Sequence, residues 1–145
     1  MGLCAKLKGL SLPSLDLKKQ ELRRMALDFK KLDDYLPHMP QTQVKGLVSS
    51  ECSIFASAVQ PVKLVFATSN GGKEALIVKN GDDMRQDALV LQMIRLMDQM
   101  LKDVGHDFHF TAYKVLACST NDGWMEFVPS TTLQKVLDDS GRNIR

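Results

Sequence analysis

Lys79-Asn80-Gly81-Asp82-Asp83-Met84-Arg85-Gln86-Asp87, running on into Leu89-Val90-Leu91-Gln92-Met93-Ile94-Arg95-Leu96-Met97-Asp98, is the stretch whose reading decides the fold. Upstream of it, Ala75-Leu76-Ile77-Val78-Lys79 alternates as a strand, with Leu76 and Val78 on one face and Ala75, Ile77 and Lys79 on the other. Lys79 thus ends an otherwise apolar strand. Downstream, Leu89, Met93, Leu96, Met97 and Met100 recur at helical spacing, which predicts a long helix over Asp83 to Leu101. Asn80-Gly81-Asp82-Asp83 reads as its cap.

Working outward, Leu64-Val65-Phe66-Ala67-Thr68 is a second strand, joined to the first by Ser69-Asn70-Gly71-Gly72-Lys73, whose Asn and Gly supply the positive φ of a hairpin turn. A further hairpin is predicted from Phe108 to Ala117, turning at Thr120-Asn121-Asp122-Gly123 and resuming as Trp124-Met125-Glu126-Phe127-Val128. Pro129 ends that strand, Ser130 or Thr131 can cap, and a last helix covers Leu133 to Asp138. Val44 to Val62 is mixed and β-leaning. Before it, Leu22, Met25, Ala26, Phe29, Leu32 and Leu36 predict a helix from Ser14 to near Leu36, stopped by Pro37 and Pro40 and followed by a linker. Its other face carries Lys18, Lys19, Glu21, Arg23, Arg24, Lys30 and Lys31, read as a solvated face in preference to a membrane-binding one. The class is α+β, an antiparallel sheet with a long helix on one face and flanking helices. The expected organisation is an N-terminal segment 1–13, an amphipathic helix and linker over 14–43, and a folded unit over 44–145.

Composition narrows the alternatives. With 145 residues, 44% apolar and 25% charged, the chain matches one ordinary globular domain and excludes low-complexity, collagenous and disordered classes. A formal charge of +2 gives no reason to expect a nucleic-acid partner. Cys4, Cys52 and Cys118 are odd in number and form no C-x-x-C pair, which points away from disulfide and zinc scaffolds and towards a reducing compartment. Gly2 and Cys4 suggest acylation only superficially, because Lys6 stands where a Ser or Thr is wanted.

Several signals fail on chemistry. Gly72-Lys73 lacks the upstream glycine of a phosphate-binding P-loop and is followed by Glu74. His106-Asp107-Phe108 imitates a metal-binding Asp-Phe-Gly, yet His109 occupies the glycine position. His38, His106 and His109 have no second ligand at metal spacing, and no metal site is expected.

The Lys79 to Asp98 run resembles the signature of the phosphatidylinositol 3-kinase family. Glu51-Cys52-Ser53-Ile54-Phe55-Ala56-Ser57-Ala58, followed by Pro61, looks like that family's phosphate-binding loop, and Tyr113 to Thr120 with Gly123 to Ser130 is similar to the class III, vacuolar-sorting branch. The resemblance extends over about Val44 to Asn143. It implies the N-terminal lobe of a kinase fold, with the helix from Ser14 as the tail leading into it. Phosphatidylinositol 4-kinases and the related large protein kinases share the Arg-Gln-Asp run, and Tyr113 to Thr120 argues against them.

The resemblance also implies an ATP site. Lys79 pairs with phosphate oxygens while its stem stays packed, which suits a cation held at a strand end. Alone, Lys79 reads as an exposed strand-end lysine; its surroundings reverse that. Asp87 lies near Lys79, Tyr113 lines the inner wall, and Ile77 touches the base or serves the core. Asp87 also suits the first turn of a helix on dipole grounds. Glu126-Phe127-Val128 is the hinge, where adenine needs one acceptor and one donor: the Glu126 carbonyl and the Val128 amide. Ser57 and nearby amides cradle phosphate. Ala56, Val59 and Gln60 stand where the family usually has a lysine, unless Lys63 compensates.

Asp-Arg-His with its downstream Asn, and Asp-Phe-Gly, do not occur, so no catalytic residue and no ligand for Mg2+ or Mn2+ is assigned within these residues. The expectation is a lobe cut at the hinge and inactive alone. The intact enzyme is expected to move the ATP γ-phosphate to the 3-hydroxyl of phosphatidylinositol on the cytoplasmic face of endosomal or other internal membranes, with regulatory protein subunits, in vesicle trafficking and autophagy. The alternative is a non-catalytic module binding a nucleotide or a protein.

Overall fold

The computed structural model describes residues 15–29 and 34–141. Its centre is a hairpin of β4 (Val62–Thr68) and β5 (Lys73–Asn80). Thr68 closes the turn: its hydroxyl donates to Asn70 Oδ1 at 2.6 Å, and Gly72 N donates to the same oxygen at 3.1 Å. Gly71 takes φ +84°, the left-handed conformation that a side chain would oppose.

Around the hairpin lie α1 (Leu15–Asp28), β1 (Asp34–Leu36), β2 (Met39–Leu47), a 3-10 turn (Ser49–Glu51) and β3 (Ser53–Ile54). Beyond it come α2 (Arg85–Asp103), β6 (Val115–Ala117), β7 (Asp122–Glu126) and α3 (Leu133–Asp139). Among the described residues one antiparallel sheet has the order β1-β2-β4-β5-β7-β6, with β3 added to β4. This is the expected α+β class.

The pleat divides the hairpin as the alternation predicts. Leu64, Phe66, Leu76 and Val78 are buried with Val44 and Trp124, covered by Met25 of α1 and by Phe29 just after it. The Phe29 and Phe66 rings meet edge-on, 6.4 Å apart at 88°, a favoured aromatic geometry. Removing a core side chain here, as in Leu64→Ala, costs about 2–5 kcal/mol.

The structure corrects several of these expectations. The first helix ends at Asp28, and Leu36 belongs to a strand; Ser14, Lys30, Lys31 and Leu32 lie outside the described residues. Where a linker was expected, β1 turns at Pro37-His38 into β2, burying Leu36 and Met39. Pro40 is tolerated because the register passes from Leu36↔Met39 to Tyr35↔Gln43, leaving it outside the ladder.

The strand predicted from Phe108 holds only from Val115 to Ala117. Asp107 Oδ1 accepts from His109 N at 2.8 Å, and His109 adopts φ +54°, which breaks an extended path. The helix stripe predicted to pack is exposed, Leu89 at 60% and Met100 at 61%, and α2 instead buries Leu91 while meeting β6. The cap also differs: Met84 holds the N-cap position, fully buried, and Asp83 accepts from Arg85 N at 3.1 Å.

Near the end of the described residues Trp124 is 3% exposed, in the core, while Leu133 is 67% exposed. Thr132 caps α3 through Lys135 N, in place of Ser130 or Thr131. No helix among the described residues is long and apolar enough to cross a membrane.

Candidate functional site

The face of the sheet opposite the core is built by register. Across the strands, Lys63 lies opposite Ile77, Ile77 opposite Met125, and Met125 opposite Val115. Val65 and Ala75 form the adjoining row on one side, Lys79 and Gly123 on the other. The result is an apolar strip, Val65, Ile77 and Met125, flanked by two lysines. Ile77 is half-buried, and its face is the one away from Leu76 and Val78.

Lys79 keeps a quarter of its side chain exposed and holds Asp82 Oδ2 at 3.0 Å. Asp82 is set by the turn before α2: Gly81 N and Asp82 N both donate to the Asn121 carbonyl, at 2.6 and 3.3 Å. Gly81 has φ +83°. Asp87 is in the first turn of α2 and exposed; the carboxylate paired with Lys79 is Asp82, three residues on, a spacing the sequence displays. Asp83 is engaged elsewhere, its carboxyl drawn down to about 2 by hydrogen bonds from the Arg85 side chain and backbone.

Gly123 shows why the second row is narrow. A Cβ there would stand 2.8 Å from Met84 Sδ and 2.9 Å from the Leu116 carbonyl. Strand β7 therefore closes against both β6 and the turn into α2 at the level of Lys79.

At the other end of β7, Phe127 N donates to the Ala75 carbonyl at 3.0 Å. The pleat then directs the backbone groups of Glu126 and Val128 away from β5. Glu126 N donates to the Lys114 carbonyl at 2.8 Å, and its carboxylate accepts from Lys114 N at 3.0 Å. The Phe127 ring carries Lys63 Nζ 3.9 Å from its centroid, a cation–π contact that holds Lys63 on the Ile77 face. Lys63, in the sequence no more than a compensating cation, reaches this face through the β4 register, which places it opposite Ile77.

Tyr113 is half-buried before β6, and its carbonyl accepts from Arg95 of α2 at 2.7 Å. Ser57 is exposed on the loop joining β3 and β4. Its N–H donates to the Phe55 carbonyl at 3.0 Å, and its carbonyl accepts from Gln60 N at 3.1 Å. Ile77, Lys79 and Glu126 lie on the adjoining strands β5 and β7, with Val128 just beyond β7, while Asp87, Tyr113 and Ser57 belong to three other segments. Among the described residues no three His, Cys, Asp or Glu side chains are grouped to hold a metal.

Residues 73–145 match the family described as phosphatidylinositol 3- and 4-kinase. The chain belongs to this family of lipid kinases. It is 48% identical over 104 residues to the root isoform of phosphatidylinositol 3-kinase from Glycine max, covering 72% of this chain and 13% of that protein. It is 42% identical over 111 residues to phosphatidylinositol 3-kinase pik3 of Schizosaccharomyces pombe, covering 77% of this chain and 14% of the relative. Against phosphatidylinositol 3-kinase VPS34 of Arabidopsis thaliana it is 46% identical over 104 residues, 71% of this chain and 13% of that one. The matched region thus spans about one-seventh of these relatives' length.

Proposed function

We propose that this chain is the ATP-binding lobe of a class III-like phosphatidylinositol 3-kinase, acting with further elements in a full-length enzyme. The observation that carries the reading is the placement of Lys79 beside Ile77 on the open face of β5, within one sheet of the Glu126-Phe127-Val128 backbone. Ile77 and Met125, both half-buried on this face, offer an apolar surface to adenine, and the Glu126 carbonyl and Val128 amide meet its donor and acceptor edge.

Lys79 then faces the phosphates. Its pairing with Asp82 keeps the ammonium aimed until phosphate oxygens replace or share that carboxylate. Asp87 closes the pocket from α2, Tyr113 its inner wall, and Ser57 meets the outer phosphates through its hydroxyl. Phosphoryl transfer depends on positioning and charge stabilisation, and this lobe contributes the nucleotide side of both. A divalent cation, Mg2+ or Mn2+, supplies charge neutralisation between phosphates in such chemistry; its donor set belongs to elements beyond those described.

In the full-length enzyme the substrate is phosphatidylinositol, phosphorylated at the 3-hydroxyl at the cytoplasmic face of an endosomal or other internal membrane, with regulatory subunits bound. The test is titration of this chain with ATP. A Lys79→Ala variant should bind at least about tenfold more weakly, the loss of one charge-assisted contact. Equal affinity in the two proteins would overturn the reading.

A second reading, a protein-binding module without catalysis, is favoured by the exposed apolar stripe of α2. Nucleotide affinity that depends on Lys79 decides for the first.

A further inference from the structure

β1 and β6 are the two ends of the strand order, yet the turn between β1 and β2 meets the segment that enters β6. Pro37 and His38 line one cleft, of about 400 Å3, with Lys114, Val115 and Leu116, and Arg95 of α2 completes its wall. The sheet is therefore curled, and the two-residue tip Pro37-His38 bridges its ends. Both sides of the tip are anchored, because Leu36 pairs with Met39 and each is buried in the core.

The side chain that this tip inserts is poorly matched to its surroundings. Both ring nitrogens of His38 are buried, and neither has a hydrogen-bond partner. A neutral imidazole leaves one donor and one acceptor unmade there, whereas an imidazolium would leave two donors and a charge. The charged groups around the ring are Arg95 from α2, Lys114 from the segment before β6 and Glu126 from β7. Arg95 is turned to the carbonyls of Ala112 and Tyr113, at 3.4 and 2.7 Å. The Glu126 carboxylate accepts from Lys114 N at 3.0 Å. The acid acting on the ring is thus committed, and two cations oppose a positive charge on it. Burial holds the His38 pKa below 6.5, in keeping with a docked neutral ring.

We propose that Pro37-His38 is a proton-released latch, which closes the curled sheet with a neutral imidazole and undocks from Lys114 to Leu116 when His38 takes up one proton. Any buried histidine makes stability fall in acid; the latch adds that the proton is accommodated by a local movement. Leu36 and Met39 hold either side, so the tip moves while the core beneath it stays closed. The released segment adjoins Glu126, the start of the proposed hinge. That consequence for nucleotide rests on the proposed function, whereas the latch does not.

The experiment is amide hydrogen exchange of the full chain at pH 7.5 and 5.5, corrected for the intrinsic pH dependence of exchange, with and without low urea. Lys114 reads the latch, and Leu64 and Leu76, paired within the β4–β5 hairpin, read the core. Protection at Lys114 should fall by about tenfold in acid, the proton uptake expected one pH unit below the value of a free imidazole. That exchange should be insensitive to urea, because the moving tip exposes little surface. Leu64 and Leu76 should exchange only through a urea-sensitive global opening. His38→Phe should abolish the acid loss at Lys114. On the unaltered chain, the nitrogen-15 signals of the His38 ring should titrate together with the Lys114 amide, a reading that needs no variant to fold. One opening energy shared by Lys114 and the hairpin, protection at Lys114 indifferent to pH, an equal acid loss in His38→Phe, or a His38 titration without a change at Lys114 would each overturn the latch.

Discussion

Lys79 Nζ and Asp82 Oδ2 stand 3.0 Å apart across the turn that carries β5 into α2. The pair is partly exposed, so its worth lies in aiming the ammonium more than in stability, to which such pairs contribute about 0–1 kcal/mol. Asp82→Asn should therefore change the urea midpoint little. Asp82 and phosphate compete for the same ammonium, so the variant should bind ATP a few fold more tightly. Weaker binding, measured by titration, would show that Asp82 contributes to the site directly.

Gly123 is squeezed between Met84 and the Leu116 carbonyl. Gly123→Ala forces a backbone shift, and overpacking of this kind costs about 1–3 kcal/mol. Chemical denaturation should report that loss, and an unchanged midpoint would refute the close approach.

His38 predicts a pH dependence. Both of its ring nitrogens are buried without a hydrogen-bond partner, and burial holds its pKa below the ordinary 6.5, with Lys114 acting the same way and Glu126 opposing. The unfolded chain takes up this proton first as pH falls. The contribution to stability is full above pH 6.5 and is lost as pH falls from there through the lower folded value. Between pH 7.5 and 5.5 the protein should lose more stability than His38→Phe does. An identical slope for the two would contradict this.

The exposed stripe of α2 is a liability. Leu89, Leu96 and Met100 stay open, with Phe108 and Phe110 following, and a contiguous apolar patch of this kind promotes association. The isolated chain should bind a hydrophobic dye or self-associate at high concentration. Leu96→Gln with Met100→Gln should reduce both while shifting stability by no more than about 0.5 kcal/mol per site. A chain that stays monomeric and dye-free would show that the stripe is covered.

What was legible in the sequence was local. The β4–β5 hairpin followed from alternation and from Asn70-Gly71, and the placement of Ile77 and Lys79 on one face followed from period two. The α2 pattern announced a helix but not its orientation, because Leu91 lies on a neighbouring face to the stronger stripe. Leu32 and Leu36 continued a helical period past Asp28, yet Leu36 is buried by pairing with β2, a contact that no local period encodes. Asp82 and Lys63 were hidden for related reasons. Asp82 looked like a cap residue until the Asn121 carbonyl was seen to hold its turn, and Lys63 joins the site only through the β4 register.

The central claim is that nucleotide occupies the Ile77 and Lys79 face. The most direct measurement is a crystal structure of this chain with a non-hydrolysable ATP analogue. Adenine should lie between Ile77 and the Glu126–Val128 backbone, with the Val128 amide donating to the base and the phosphates directed at Lys79. Nucleotide bound on the core side of the sheet, against Leu22 of α1, would contradict it.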